Sequence, residues 1–244
     1  MLLSTSKAAK RAGRGVLIAR ACILLGLACA LAGSLGAQFV QQGGKLVAAD
    51  PAGYPEQGWS VALSADGNTA IVGGPDDNCN ANGCVGAAWV YTRSGGVWAQ
   101  QGSKLVGTGA VGYAEQGYSV ALSADGNTAL VGGPYDVPAP SGSSVGAAWV
   151  FTRSGGVWAQ RGGKLTATDA VGSSEQGWSV SLSSDGNTAI VGGPGDSGTI
   201  SGGPGAAWVF TRSGNVWTQQ GSKLVGAGAV GNAAQGSSVA LSSR

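Results

Sequence analysis

The stretch GWSVALSADGNTAIVGGP, residues 58–75, decides the fold because the chain uses it three times. It returns as GYSVALSADGNTALVGGP at 117–134 and as GWSVSLSSDGNTAIVGGP at 177–194. The leading glycines Gly58, Gly117, Gly177 and Gly236 are spaced by 59, 60 and 59 residues. A period this regular marks repeated supersecondary units, each needing its neighbours to bury an apolar face. Units run at about 58–116, 117–176 and 177–235, with partial units on both sides.

Each unit holds four short runs rich in Val, Ile, Trp, Tyr and Thr, bounded by turn residues. In the first they are SVALS (60–64), TAIVG (69–73), AAWVYTR (87–93) and VWAQQGSKLV (97–106). Asp66-Gly67, Asp125-Gly126 and Asp185-Gly186 are hairpin dipeptides between the first two runs. Ser94-Gly95-Gly96 and its equivalents join the last two. Four antiparallel strands per repeat at this period predict an all-β chain of β-propeller blades. Trp89, Trp149 and Trp208, with Trp98, Trp158 and Trp217, are expected to pack between the sheets. Counting FVQQGGKLV (39–47) as a leading fourth strand and SVALS (238–242) as a trailing first strand gives fourteen strands, or three and a half blades. That is few for a ring, since propellers usually have about four to eight. The expectation is a piece of a longer repeat protein, or a chain that completes itself by association through open blade edges.

SADGNT raises the question of calcium, since Asp66 and Asn68 stand two apart as metal ligands often do. The chain then turns apolar at Ala70, Ile71 and Val72. Calcium takes about six to eight oxygens, several from carboxylates, which one Asp and one Asn do not supply. Asp66, Asp125 and Asp185 are therefore read as turn formers. No cofactor is expected.

The whole pattern, GWSVALSADGNTAIVGGP followed by GAAWVYTRSGG, resembles the FG-GAP repeat of integrin-α-type β-propellers over residues 38–244. Gly58-Trp59-Ser60-Val61 stands near that family's opening motif, Ile71-Val72-Gly73-Gly74-Pro75 at its G-A-P motif, and Gly86–Tyr91 at its third strand. Thr69 aligns with the last carboxylate of the family's calcium loop, which is shortened here to a tight turn. The resemblance implies that the loops between the second and third runs share a ligand-facing side with the connections between units. Those loops are 76–85, 135–145 and 195–204, and they differ while the frame stays constant. The connections include 108–116 and 168–176, with Glu115 and Glu175. Candidate ligand contacts are Asp76, Asp77, Tyr135, Asp136 and Asp196, with local turn capping as the alternative role of the aspartates. Lys104, Lys164 and Lys223 recur in GxKL and read as solvated edge-strand residues.

Composition narrows the function. Of 244 residues, 46 are Gly and 8 Pro, yet 43% are hydrophobic, which favours a packed fold over disorder. There is no His, which removes the commonest general base. No G-x-S-x-G elbow, phosphate loop or paired carboxylate motif is present. The chain therefore reads as non-enzymatic. From Gln38 onward there are 9 basic and 12 acidic residues, with no basic patch for nucleic acid. Residues 1–37, a basic stretch followed by ACILLGLACALAGSLGA, read as a secretory signal peptide or, if uncleaved, a membrane anchor. In an exported chain, Cys79 and Cys84, alone together in DDNCNANGC, read as a local disulfide. The expectation is a secreted or cell-surface repeat protein that binds a protein or glycan ligand, acting in adhesion. The alternatives are a structural spacer and, less favoured, a propeller enzyme.

Overall fold

The computed structural model describes residues 40–81, 83–137, 142–198 and 203–242. The signal-peptide reading of 1–37 lies outside them. The chain divides into two units, Met1–Gln42 and Gly43–Arg244; of the first, only the irregular residues 40–42 are described.

In the second unit the blade strands fall on the apolar runs of each repeat. β1 (Ser60–Leu63) pairs antiparallel with β2 (Thr69–Gly74). A two-residue-strand hairpin follows, β3 (Cys79–Asn80) with β4 (Gly83–Cys84). β2 then pairs with β5 (Ala87–Ser94), and β5 with β6 (Val97–Gln100). The sheet order is β1-β2-β5-β6. The second repeat builds the same sheet from β7 (Ser119–Leu122), β8 (Thr128–Gly133), β9 (Ala147–Ser154) and β10 (Val157–Gln160). The third uses β11 (Ser179–Leu182), β12 (Thr188–Gly193), β13 (Ala206–Ser213) and β14 (Val216–Gln219). The register is identical in all three: Val72 faces Trp89, Val131 faces Trp149, and Val191 faces Trp208. The sheets meet through their first strands, β1 against β7 and β7 against β11. The result is three four-stranded blades of an all-β, propeller-like fold.

Two seams hold the blades together. In the first, Ile71, Ala88, Val90 and Leu105 of blade one meet Val120, Val131, Trp149 and Phe151 of blade two. In the second, Leu130, Ala148, Val150 and Leu165 of blade two meet Val191, Ala206, Trp208 and Phe210 of blade three. Trp89, Trp149 and Trp208 are fully buried, each contributing about 2–3 kcal/mol by area. Ser60 Oγ donates to the Gly117 carbonyl at 2.7 Å, as Ser119 does to Gly177. A side chain at Gly73 or Gly132 would run into those carbonyls, so the glycine before the G-P corner is required by close approach.

The D-G turns are built as expected. Asp66 Oδ1 accepts from Ser64 Oγ at 2.5 Å and from Asn68 N at 2.9 Å, and Oδ2 accepts from Asn68 Nδ2 at 3.0 Å. Asp125 and Asp185 repeat these bonds. They hold Asp66 down to about 2 and lower Asp125 and Asp185 against their burial.

Three expectations change. The fourth run keeps strand pairing only to Gln100; the chain bends at Gly102 and returns in a single bridge between Leu105 and Ala88. Residues 40–47 and 238–242 form no strands, so the fourteen strands among the described residues are twelve in blades and two in the small hairpin. The second tryptophan of each repeat only flanks the core, packed against its edge. Trp98, Trp158 and Trp217 are half-buried and lie under Arg93, Arg153 and Arg212 at 5.5, 5.4 and 5.8 Å, in cation–π contacts.

Candidate functional site

The residue after the leading glycine of each full unit is Trp59, Tyr118 or Trp178. It sits at the entrance of its blade's first strand, so stacking the blades brings together rings some sixty residues apart. Tyr118 lies 5.4 Å from Trp59 and 4.9 Å from Trp178 between ring centroids, tilted 51° and 46°. Tyr135 meets Tyr118 edge-on at 6.1 Å. Trp59 is 53% exposed.

The corner beneath this row is strained in the same way each time. Glu56, Glu115 and Glu175 have φ of 50°, 50° and 57°, a left-handed conformation unusual for a non-glycine residue. Each accepts from the ring-bearing residue three positions on: Trp59 N at 3.1 Å, Tyr118 N at 3.1 Å and Trp178 N at 3.2 Å. Buried glutamines pin the corners. Gln116 Oε1 accepts from Gly107 N at 2.5 Å, and Gln176 Oε1 from Ala167 N at 2.7 Å. Sequence reasoning missed the glutamines and the aromatic row; both were visible as Q-G-aromatic at the repeat period.

The variable loops and the connections share this end. Glu115 N donates to the Cys84 carbonyl at 3.2 Å, and Glu175 N to the Ser144 carbonyl at 3.0 Å. Cys79 and Cys84 form the expected disulfide across the β3–β4 hairpin. Their sulfurs and the Asp76 carboxylate lie within 4.8 Å of one another, but bridged sulfurs are not thiolates and do not ligate a metal. The hairpin abuts Tyr113, whose ring fills the space beside Gly83. Trp59, Tyr113, Glu115, Tyr118, Tyr135 and Ser144 line an open cavity of about 470 Å³. Burial, with the like charges of Asp76 and Glu56, pushes Glu115 up to about 7. Burial alone raises Glu175. Burial, then Tyr118 and the two glutamates, push the Tyr135 phenol up to about 12.

The predicted contact residues divide. Tyr135 and the half-buried Asp76 belong to this cavity's surroundings. Asp77, Asp136 and Asp196 are wholly buried and committed elsewhere. Their Oδ1 atoms accept from Ala52 N, Val111 N and Val171 N at 2.7, 2.7 and 2.8 Å. Their Oδ2 atoms pair with Lys104 at 2.5 Å, with Lys164, and with Lys223 at 2.6 Å. These three aspartates are internal braces rather than ligand contacts, and the lysines are their partners rather than solvated edge residues.

A family model described as the FG-GAP repeat matches residues 40–91 and 158–210. These two stretches are FG-GAP repeats. Both matches end on the same buried aromatic of the third blade strand, Tyr91 and Phe210, so the FG-GAP match keeps the phase of the blades. No curated protein sequence matches the chain. Among solved structures, Sqt1 of Saccharomyces cerevisiae is 13% identical with a TM-score of 0.42, the match covering 68% of this chain and 35% of that one. Hydrazine synthase of Kuenenia stuttgartiensis is 12% identical with a TM-score of 0.38, over 78% and 40%. The periplasmic gluconolactonase of Pseudomonas aeruginosa is 15% identical with a TM-score of 0.37, over 69% and 58%. The chain thus spans about a third to three fifths of the length of these structures. Among the described residues, no helix is long and apolar enough to cross a membrane.

Proposed function

We propose that this chain is an exported, non-enzymatic binding protein that holds a protein or glycan ligand at the cell surface, in adhesion or capture. The observation that carries the reading is the aromatic row Trp59–Tyr118–Trp178 with Tyr135 beside it, at the end where the variable loops gather. Rings held on a rigid strand frame offer apolar faces and polar edges at little entropic cost on binding. Glu115 and Glu175 add hydrogen-bond acceptors beneath them. The disulfide fits an oxidising compartment. The absence of histidine from the chain supports binding over catalysis. In the D-G turns both carboxylate oxygens are taken by protein donors, which supports a calcium-independent frame.

The test is binding of the labelled chain, with its Tyr118→Ala variant, to an array of soluble polysaccharides and to whole cells. Retention that falls at least about tenfold in the variant supports the site. Equal retention by both proteins, or none by either, overturns it.

A further inference from the structure

We propose that the cavity lined by Trp59, Tyr113, Tyr118, Tyr135 and Glu115 binds a quaternary ammonium group, of the trimethylammonium kind that choline carries. This names the ligand chemistry of the site proposed above and rests on the reading of this end as a binding surface. Four of the six lining side chains are aromatic, and Glu115 supplies the one carboxylate. The volume, about 470 Å³, lies within the roughly 300–1,000 Å³ of small-molecule sites.

The rings do not form one flat shelf. The planes of Trp59 and Tyr135 are inclined at 51° and 88° to that of Tyr118. A flat shelf suits a sugar ring laid on it, whereas walls at steep angles suit a compact, rounded group that touches several of them. Charge then selects among rounded groups, because the faces of aromatic rings attract cations. A primary ammonium or a guanidinium carries N–H donors that need acceptors, which ring faces replace poorly. A quaternary ammonium has no donor to satisfy.

The carboxylates complete the match. Glu115 is half-buried, and the charged groups acting on it are Asp76 and Glu56, both of its own sign. The ion pairs among the described residues join Lys104, Lys164 and Lys223 to Asp77, Asp136 and Asp196, and leave Glu115 outside them. Burial, then Glu115 and Glu175, raises the Tyr118 phenol, so the central ring stays neutral. A cation in the cavity relieves the repulsion among these carboxylates while the rings cover it.

The site is a departure from the repeat. Where the second repeat has Tyr113 and Tyr135, the third has Ser173 and Gly195, and the first has Tyr54, which is 92% exposed, and Asp76. The frame tolerates all three pairs, so the two tyrosines serve something other than the fold. The disulfide hairpin holds them in place. Gly83 lies so close to the Tyr113 ring that a Cβ there would overlap it. The Cys84 carbonyl accepts from Glu115 N at 3.2 Å. One wall and the carboxylate are therefore positioned before a ligand arrives, which lowers the cost of binding.

Titration calorimetry of the full chain with choline tests this, against 3,3-dimethylbutan-1-ol, which has the same shape with carbon in place of the charged nitrogen. At about pH 8, choline is expected to bind at least about tenfold more tightly than the uncharged isostere. Tyr113→Ser/Tyr135→Gly gives the second repeat the residues of the third, so it should fold, as circular dichroism checks, and lose choline at least about tenfold. Glu115 is charged above about 7, so choline affinity should weaken severalfold between about pH 8 and about pH 5.5. Glu115→Gln should bind weakly with a flat profile. Phosphatidylcholine vesicles separate the sources of the group: cosedimentation that choline displaces assigns a lipid headgroup, and choline binding without cosedimentation assigns a soluble ligand. No binding of choline, equal affinity for the isostere or for argininamide, or undiminished binding in the folded double variant overturns the proposal. Polysaccharide retention that Tyr118→Ala loses, without choline binding, overturns this ligand alone and leaves the broader reading standing. Choline binding without retention on polysaccharides or cells overturns only the broader one.

Discussion

Lys104 Nζ lies 2.5 Å from Asp77 Oδ2, and the same pair recurs as Lys164 with Asp136 and Lys223 with Asp196. The carboxylates are wholly buried, and the lysine side chains are 22%, 18% and 20% exposed. Each pair ties the end of one blade to the corner after its second strand. The same carboxylate also holds the connection entering that blade, through the amides of Ala52, Val111 and Val171.

Removing one carboxylate leaves a mostly buried ammonium and an amide without their acceptor. Asp136→Ala is expected to cost about 3 kcal/mol of unfolding free energy, measured by denaturant titration. Lys45→Ala, at the same repeat position but exposed, is expected to change stability by under about 0.5 kcal/mol. Equal effects would refute the brace.

Glu115 predicts a pH dependence. Its carboxyl rises from 4.5 to about 7 on folding, so between those values the folded chain holds a proton that the unfolded chain has lost. Its stabilising contribution is full below about 4.5 and is lost as pH rises through about 7. Thermal melts should show a falling Tm across that window, and Glu115→Gln should flatten the fall. Asp66 acts in the opposite sense in a different window. Lowered from 3.8 to about 2, its contribution is present above the first value and is lost as pH falls through the second.

Trp158 Nε1 donates to Gln101 Oε1 at 3.1 Å, whereas the equivalent Trp217 Nε1 is buried without a partner. The residue standing at the Gln101 position in the second repeat is Arg161, which has donors and no acceptor. Arg161→Gln should supply the missing acceptor and stabilise by about 1 kcal/mol. An unchanged or lower Tm would count against this account.

The disulfide closes a hairpin that the second and third repeats manage without cysteine. Replacing Cys79 and Cys84 by Ser should speed amide hydrogen exchange at residues 79–84 and leave that of β2 and β5 unchanged. Faster exchange throughout the first blade would give the bridge a global role.

What could be read in the sequence was whatever lies within one repeat. The period, the four runs and the D-G turns are local, and Cys79 and Cys84 are five residues apart. Contacts made by the stacking of blades were not readable in the same way. Trp59, Tyr118 and Trp178 meet only because three first strands lie side by side. Lys104 looked like a solvated residue because its partner is 27 positions back, across two strands. Trp98 looked like core because a tryptophan in a strand usually is. It does pack against the core, but only half-buried, and its register opposite Arg93 also gives it a cation to lie under. The leading fourth strand failed because β6 of a blade pairs only with its own β5, and the described residues hold no strand ahead of β1 with which 40–47 could pair.

The Ser60 hydroxyl and the Gly117 carbonyl meet across a boundary between two units that each carry both groups. Every unit thus brings a donor for the neighbour ahead and an acceptor for the neighbour behind. A genetic slip that removes or duplicates one whole unit of 59 or 60 residues joins a serine to a glycine it has never met, in the geometry it already has. Copy number in such a gene is free to drift while each junction stays chemically unchanged.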